Sequence, residues 1–130
     1  MFSVPSKYSF KDVTTTCSFY PSNVFGYVNG KYENPNTLSV GKGYWFRTFN
    51  DCTVTLKGVA DSNVQLNLNA GWNLIGVPNT VDVSGFEGNC NVARGPYEYD
   101  STAKKWNRVN TLEPLKAYFV KVAGSCSMSG

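Results

Sequence analysis

The amino-acid sequence predicts an all-β protein built from two tandem repeats. No segment of twelve or more residues has apolar residues at helical spacing, whereas short runs of β-branched and aromatic residues alternate with turn residues. The chain also matches itself: Phe2-Ser3-Val4-Pro5 recurs as Ile75-Gly76-Val77-Pro78, at an offset of 73 residues. Lys42-Gly43-Tyr44-Trp45-Phe46 recurs as Lys116-Ala117-Tyr118-Phe119-Val120, at an offset of 74. We therefore expect a compact sandwich or barrel with pseudo-twofold symmetry, because such an arrangement protects the edges of short strands.

The repeats divide a single domain into two copies. A chain of 130 residues has the usual length of one domain, and the whole of 1–130 is assigned to it. The copies cover about residues 1–56 and 64–130, and residues 57–63 connect them. The first copy has no counterpart of Ala70-Gly71-Trp72-Asn73. The second copy has no counterpart of the strand from Val64 to Leu68 at its end. We expect each copy to receive its missing strand from the other, which would explain why two are present.

Turn residues predict two hairpins at equivalent places in the copies. Asn29-Gly30 lies between Tyr27-Val28 and Lys31-Tyr32, and Asn-Gly between aromatic strands favours a type I′ turn. The counterpart runs from Tyr97 to Trp106 and has a longer loop. The longer loop accounts for the change in the repeat offset.

Alternating apolar and polar residues predict strands on both sides of the connection. Thr53-Val54-Thr55-Leu56 alternates, and so does Val64-Gln65-Leu66-Asn67-Leu68, whose apolar members share one face. Asn69-Ala70-Gly71 then predicts a hairpin turn into the strand from Trp72 to Val77. Pro78 ends that strand because it lacks a backbone donor.

One face of the strands in each copy is predicted to form the core. Along the strands that contain Tyr44 and Tyr118, positions of one parity are apolar in both copies. Because alternate residues of a strand face the same side, these positions are expected to point inward. The predicted core comprises Trp72, Leu74, Val77, Tyr44, Phe46, Tyr118 and Val120.

Each copy carries one pair of cysteines, separated by 35 residues in the first copy and 36 in the second. Four cysteines allow three pairings, and the duplication favours the symmetric one, Cys17–Cys52 with Cys90–Cys126. Free buried thiols or a four-thiolate metal site are the alternatives, although the chain has no C-x2-C pair and no histidine. Disulfides of this spacing would stabilise each copy by roughly 3 to 4 kcal/mol. They imply an extracellular, cell-surface or virion location, or the interior of a hyperthermophile.

Composition excludes several classes of protein. A net charge of +3 is too small to indicate nucleic acid or an anionic membrane as the main partner. No segment approaches the roughly 18 apolar residues of a membrane span. Without histidine, Ser-His-Asp and Cys-His chemistry are excluded, and no spacing selects a catalytic pair among the nine carboxylates. We therefore expect neither an enzyme nor a cofactor.

Two motifs carry a resemblance to known repeat modules. Gly71-Trp72-Asn73-Leu74-Ile75-Gly76 precedes an aromatic hairpin, and Gly41-Lys42-Gly43-Tyr44-Trp45-Phe46 forms a strand. Together they resemble the G-W-N-L-I-G and G-K-G-Y-W repeats of archaeal and bacterial envelope and surface-layer-associated proteins. The resemblance covers most of the second copy and the second half of the first. It implies small all-β units with an adhesive, structural or undefined role, and it implies no catalytic residues.

The chain departs from that pattern at two features. Glu113-Pro114-Leu115-Lys116-Ala117 stands where the pattern has a lysine bracketed by glycines, and the cysteine pairs are an addition. Archaeal viruses also carry small β-proteins of similar composition, so a virion role stays open.

The second face of the repeated strands supplies the candidate binding residues. There aromatic residues alternate with cations, as in a stacking platform for a sugar ring or an unpaired base. This candidate binding face comprises Trp45, Arg47, Phe49, Phe119 and Lys121. The structural alternative is that Trp45 and Phe119 pack between the copies while Arg47 and Lys121 extend to solvent. A second candidate for sugar stacking is the aromatic hairpin with Trp106, Tyr97 and Tyr99, and Lys104, Lys105 and Arg108 form a local basic cluster.

These observations predict a non-enzymatic structural or interaction module of a cell envelope, surface layer or virion. Its partner would be another protein or further copies of itself, bound through exposed aromatics and Asn/Ser/Thr-rich loops. The alternative is a carbohydrate-binding module that uses the exposed aromatics. A third interpretation, a nucleic-acid-binding β-domain, requires the basic residues of both copies to share one face.

Overall fold

The structure, a computed structural model, describes residues 1–3, 13–15, 23–47, 54–56, 65–85 and 87–129. More than half of the described residues are in strands, and the described part contains a 3-10 turn at Val83–Gly85 and no α-helix, so the all-β prediction is confirmed. No helix in the described part is long and apolar enough to cross a bilayer. The strands are β1 (Phe2–Ser3), β2 (Val13–Thr15), β3 (Val24–Val28), β4 (Lys31–Glu33), β5 (Gly43–Phe46), β6 (Val54–Leu56), β7 (Gln65–Leu68), β8 (Gly71–Ile75), β9 (Val81–Asp82), β10 (Glu87–Gly88), β11 (Val92–Asp100), β12 (Lys105–Arg108), β13 (Thr111–Leu112), β14 (Tyr118–Val122) and β15 (Cys126–Ser129).

Two four-stranded antiparallel sheets dominate the fold. Sheet one has the strand order β1-β5-β3-β4, and sheet two has the order β8-β14-β11-β12. The pair β1–β5 of sheet one and the pair β8–β14 of sheet two have equivalent registers. Phe2 lies opposite Tyr44, and their counterparts in the repeat, Ile75 and Tyr118, lie opposite each other. Smaller sheets pair β2 with β6, β9 with β13, and β15 with both β10 and β7. The described strands form several separate sheets and no closed barrel.

The main core lies beneath one face of sheet two. Tyr118, Val120 and Val122 point from β14 into this core and are at most 1% exposed. They pack with Leu66 and Leu68 of β7, whose exposed and buried residues alternate as the sequence predicted. Burial of such side chains contributes roughly 1.5 to 3 kcal/mol each. The core therefore joins sheet two to the sheet that contains β7 and β15.

The predicted hairpin between β7 and β8 is wrong. β7 pairs with β15 and β8 pairs with β14, so the chain turns a corner between two sheets. The side chain of Asn73 holds this corner: its Oδ1 accepts from the Asn69 amide at 3.1 Å, and its Nδ2 donates to the Asn69 carbonyl at 2.9 Å. The predicted hairpin at Asn29-Gly30 is present, with φ of 51° and 80° at these residues.

The segments where the two large sheets meet make reciprocal contacts. The amide of Ser3 donates to the carbonyl of Leu115 at 3.1 Å, and the amide of Gly76 donates to the carbonyl of Gly41 at 3.2 Å. Both acceptor residues have left-handed backbone conformations, with φ of 70° at Leu115 and 87° at Gly41. A β-carbon built on Gly43 would lie 2.6 Å from Cβ of Ala117, so these two backbones also approach closely.

A tyrosine hydroxyl caps the same loop in each half of the chain. The Tyr44 hydroxyl accepts a hydrogen bond from the Ser39 amide at 2.8 Å. The Tyr118 hydroxyl accepts one from the Glu113 amide at 2.9 Å. Both rings are at most 2% exposed, and burial raises the pKa of both hydroxyls above the ordinary value.

Two residues of the predicted core, Trp72 and Phe46, are not fully buried. The core prediction is wrong for Trp72, which is 37% exposed because it lies on the face of β8 opposite to the main core. Phe46 is only partly buried. The predicted pairing of Cys90 with Cys126 is present, with the Cα atoms 5.1 Å apart. Cys17 and Cys52 lie outside the described residues, so their pairing stays a prediction.

Candidate ligand groove

The second faces of the two large sheets are rich in aromatic residues. In sheet two, Phe119 lies opposite Tyr97 on one side and opposite Leu74 on the other. In sheet one, Tyr27 lies opposite Tyr32 and Phe25 lies opposite Trp45. Directly opposed residues of an antiparallel pair share a face, so each sheet presents a continuous aromatic surface.

These two surfaces pack against each other through ring contacts. The ring centroids of Tyr27 and Phe119 are 5.3 Å apart with an interplanar angle of 86°. Trp45 of sheet one contacts Tyr99 at 5.5 Å and Trp106 at 6.2 Å. Such edge-to-face pairs contribute about 0.5 to 1.5 kcal/mol beyond the area they bury. A second, smaller core around Leu74 and Phe119 therefore lies between the sheets.

The packing leaves an open hollow of about 370 Å³ beside this smaller core, which we call the aromatic groove. Its floor is Phe119, which is 9% exposed. Around the floor stand Tyr32, Trp106 and Trp72, which are 54%, 45% and 37% exposed. The groove is lined by Tyr27, Tyr32, Trp72, Arg94, Tyr97, Trp106 and Phe119. Residues of both large sheets thus contribute to one concave, mostly apolar surface.

A second, shallower hollow adjoins the groove. It has a volume of about 340 Å³ and is lined by Phe25, Tyr32 and Trp45. Tyr32 lines both hollows and therefore stands between them. In the described part of the chain, the buried Nε1 of Trp45 has no hydrogen-bond partner.

The rim of the groove carries positive charge. Arg94 lies opposite Lys121 in the ladder between β11 and β14, and the register shifts on both sides of Arg94. The ammonium group of Lys121 is 6.0 Å from the centroid of the Trp72 ring, within range of a cation–π interaction. Arg108 lies opposite Tyr97 and so belongs to the same face. Among the described residues, neither Arg94 nor Lys121 forms an ion pair.

The nearest acidic residue of β11 is engaged elsewhere. The carboxylate of Glu98 forms an ion pair with the ammonium group of Lys116 at 3.3 Å, and the same ammonium group pairs with the Glu113 carboxylate at 2.8 Å. The hydrogen bond with Glu113 is the main cause of the raised pKa of Lys116, and Glu98 adds to it. Because successive residues of a strand face opposite sides, Glu98 lies on the other face from its neighbours Tyr97 and Tyr99.

The structure separates the residues of the predicted binding face. Phe119 is the floor of the groove and Lys121 lies at its rim, whereas Trp45 packs against Tyr99 and Trp106. Arg47 is exposed just beyond the end of β5, where its amide donates to the Asn23 carbonyl at 2.9 Å. Phe49 lies outside the described residues.

The predicted sugar-stacking hairpin contributes directly to the groove. Trp106 and Tyr97 line it, and Tyr99 lies opposite Trp106 in the ladder, with a ring-centroid distance of 4.9 Å. Asp100 instead shapes the hairpin tip, where its carboxylate accepts from the amides of Thr102 and Ala103. Lys104 and Lys105 are exposed at this tip and do not line the groove.

Sequence reasoning missed four of the lining residues: Tyr27, Tyr32, Trp72 and Arg94. Trp72 carried no local signal, because it shares its parity with Leu74, which is buried between the sheets. Arg94 carried none either, because its position depends on the register shifts in β11.

The groove offers stacking surfaces and cations. Within the described part of the chain no cluster of acidic residues and cysteines could hold a metal ion. The arrangement suits recognition of a ring that bears a negative charge. The aromatic residues would stack on the ring, and Arg94 and Lys121 would donate hydrogen bonds to the charged group. The chain matches no protein-family model, no curated protein and no solved structure.

Proposed function

We propose that this protein is a non-enzymatic interaction module of a cell envelope, surface layer or virion, and that the aromatic groove is its contact surface. The observation that carries the proposal is the exposure of Tyr32, Trp72 and Trp106 around one buried ring, Phe119. Aromatic residues are enriched where proteins bind partners, because they offer a large contact area with few rotatable bonds. Isolated exposed apolar residues are common on proteins, but three exposed rings around one hollow are not.

We further propose that the fold is a two-repeat sandwich with pseudo-twofold symmetry. The reciprocal hydrogen bonds Ser3 to Leu115 and Gly76 to Gly41 support this, since they join sequence-equivalent positions in exchanged order. The equal register of Phe2 with Tyr44 and of Ile75 with Tyr118 supports it too. In this arrangement neither repeat alone makes the groove, so duplication creates the contact surface.

The proposed location follows from the disulfide between Cys90 and Cys126. Disulfides persist mainly in oxidising surroundings outside the cytoplasm. The resemblance of the two sequence motifs to envelope and surface-layer repeats agrees with this location.

The second candidate function is carbohydrate binding, and the shape of the groove favours it. A hollow of about 370 Å³ with exposed indole rings and cations at its rim accommodates a sugar residue.

Two measurements on the non-reduced protein test the proposed function. Light scattering with negative-stain microscopy across concentration would detect self-assembly, and a broad glycan array would detect sugar binding. Each is repeated with Trp72→Ser/Trp106→Ser, and with Val92→Ser as a matched control. Val92 is 41% exposed but lies outside the groove.

We expect assembly or glycan retention by the wild type and by Val92→Ser, and its loss in the double variant. A protein that stays monomeric at every concentration and retains no glycan would contradict the proposal. Equal assembly or retention by the double variant would contradict the role of the groove.

A further inference from the structure

The rim of the groove places unpaired positive charge beside exposed rings. Arg94 and Lys121 lie opposite each other in one ladder, although like charges directly opposite are destabilising. Within the described residues neither is neutralised by a carboxylate, and Glu98 is engaged with Lys116. An anionic group bound between Arg94 and Lys121 would remove this repulsion.

The rings beside these cations stand steeply against the floor of the groove. Tyr27 meets Phe119 at 86°, and Trp106 meets Phe119 at 70°. Trp72 meets Phe119 at 87°. None of these three rings is parallel to Phe119, so they form walls around it, and a puckered ring above Phe119 can direct C–H groups at several aromatic faces.

From this charge and shape we infer that the groove binds an anionic pyranose, a sugar residue with a carboxylate or a sulfate. This inference rests on carbohydrate binding, the second candidate function above. The sugar ring contacts Trp72 and Trp106 above Phe119, and its anionic group accepts hydrogen bonds from Arg94 and Lys121. Such charge-assisted hydrogen bonds are stronger than those between neutral groups.

The neighbouring hollow extends the inference to a polymer. Because Tyr32 lines both hollows, a chain of sugars that enters the groove can continue across Tyr32 toward Trp45 and Phe25. The inferred ligand is therefore an acidic polysaccharide and not a single free sugar.

The test uses oligogalacturonate as the carboxylated probe and sulfated dextran oligomers as the sulfated probe. Neutral dextran oligomers and oligo(dT) are compared with them under the same conditions. Binding is measured by calorimetry at low and moderate salt for the wild type, Arg94→Gln, Lys121→Gln and Trp72→Ser. Lys42→Gln is the control, since it removes the same charge from an exposed side chain outside the groove.

We expect at least one anionic probe to bind, with a loss of about tenfold or more in Arg94→Gln and Lys121→Gln, and little loss in Lys42→Gln. The arm that binds distinguishes carboxylate from sulfate. Binding of neutral dextran with no effect of the charge variants would overturn the inference and leave carbohydrate binding standing. Binding of oligo(dT) alone, or of none of the probes, would also overturn it, and the glycan array then decides whether carbohydrate binding fails as well.

Discussion

Ser3 and Gly76 lie back to back, so that a β-carbon added at Gly76 would collide with the side chain of Ser3. Ser3 is fully buried, and its hydroxyl donates to the Lys116 carbonyl at 2.5 Å. The two residues occupy equivalent places in the repeat, at the offset of 73. Gly43 and Ala117 are likewise equivalent and likewise in contact. Equivalent residues meet each other only at a twofold axis, which is where we propose the axis to lie.

Replacing Gly76 by alanine is expected to lower the free energy of unfolding by about 1 to 3 kcal/mol, because the new methyl group overpacks this contact. Ser3→Gly in the same chain removes the colliding atoms and should recover part of the loss. Denaturant unfolding of the two single variants and the double variant measures this coupling.

Gly124→Ala is the control for this cycle, since a β-carbon there meets nothing within 4 Å. Its stability should stay close to that of the wild type. Additive effects of Gly76→Ala and Ser3→Gly would contradict the contact.

Removing the tyrosine hydroxyls tests the paired loop caps. Tyr44→Phe and Tyr118→Phe each leave a backbone amide without its acceptor, at Ser39 and at Glu113 respectively. Each change should lower the free energy of unfolding by about 1 to 2 kcal/mol. Similar values for the two variants are expected from their similar geometry, and a neutral effect at either site would count against that hydrogen bond.

The same tyrosines predict how stability depends on pH. Burial raises the pKa of Tyr44 and of Tyr118 in the folded protein. The unfolded chain, with an ordinary tyrosine pKa of about 10, therefore releases these protons first as pH rises. The stabilisation is complete below about pH 10 and is lost above it. As pH rises from 8 to 11, the denaturant midpoint should fall less steeply in the two phenylalanine variants than in the wild type. The same slope in all three proteins would show that ionisation of these tyrosines does not cause the fall.

Loss of the disulfide should destabilise the second copy strongly. Cys90 and Cys126 close a loop with a sequence separation of 36, for which chain entropy gives about 3 to 4 kcal/mol. Cys90→Ser/Cys126→Ser should show this loss in denaturant unfolding. Reduction of the wild type should add about four hydrogens to its mass if Cys17 and Cys52 are also paired, and about two if they are not.

Trp72 and Leu74 separate the roles of groove and core on one strand. Leu74 is 5% exposed between the sheets, so Leu74→Ala should lower the free energy of unfolding by about 2 to 5 kcal/mol. Trp72 is 37% exposed, and Trp72→Ala should cost less stability while abolishing ligand binding. A larger loss of stability for Trp72→Ala than for Leu74→Ala would indicate that Trp72 has a structural role.

Local sequence patterns were sufficient to predict the strands that alternate and the turn at Asn29-Gly30. Alternation identifies a buried face wherever only one face is covered, as in β7 with Leu66 and Leu68. The pattern fails on β8, because Leu74 and Ile75 are both buried, by different sheets. Whether the Trp72 side chain is covered depends on how the two large sheets pack against each other. The residues around Trp72 in the sequence do not determine that packing.

Long-range pairing accounts for the other differences. Asn69-Ala70-Gly71 is equally suited to a hairpin or to a corner, and only the pairing of β7 with β15 decides between them. Leu115 adopts φ of 70°, a conformation for which glycine is the expected residue, so the residue type at this position does not predict the turn. The position of Arg94 at the groove depends on irregular pairing in β11, which residue patterns do not encode.

The most direct test of the groove uses the indole N–H signals of the three tryptophans in ¹H–¹⁵N spectra. Spectra are recorded while protein concentration, oligogalacturonate or neutral dextran oligomers are increased in separate series. If the groove is the contact surface, the signals of Trp72 and Trp106 shift in at least one series, and the buried Nε1 of Trp45 shifts less. Signals of Trp72 and Trp106 that stay fixed in every series, or changes confined to residues outside the groove, would contradict the account.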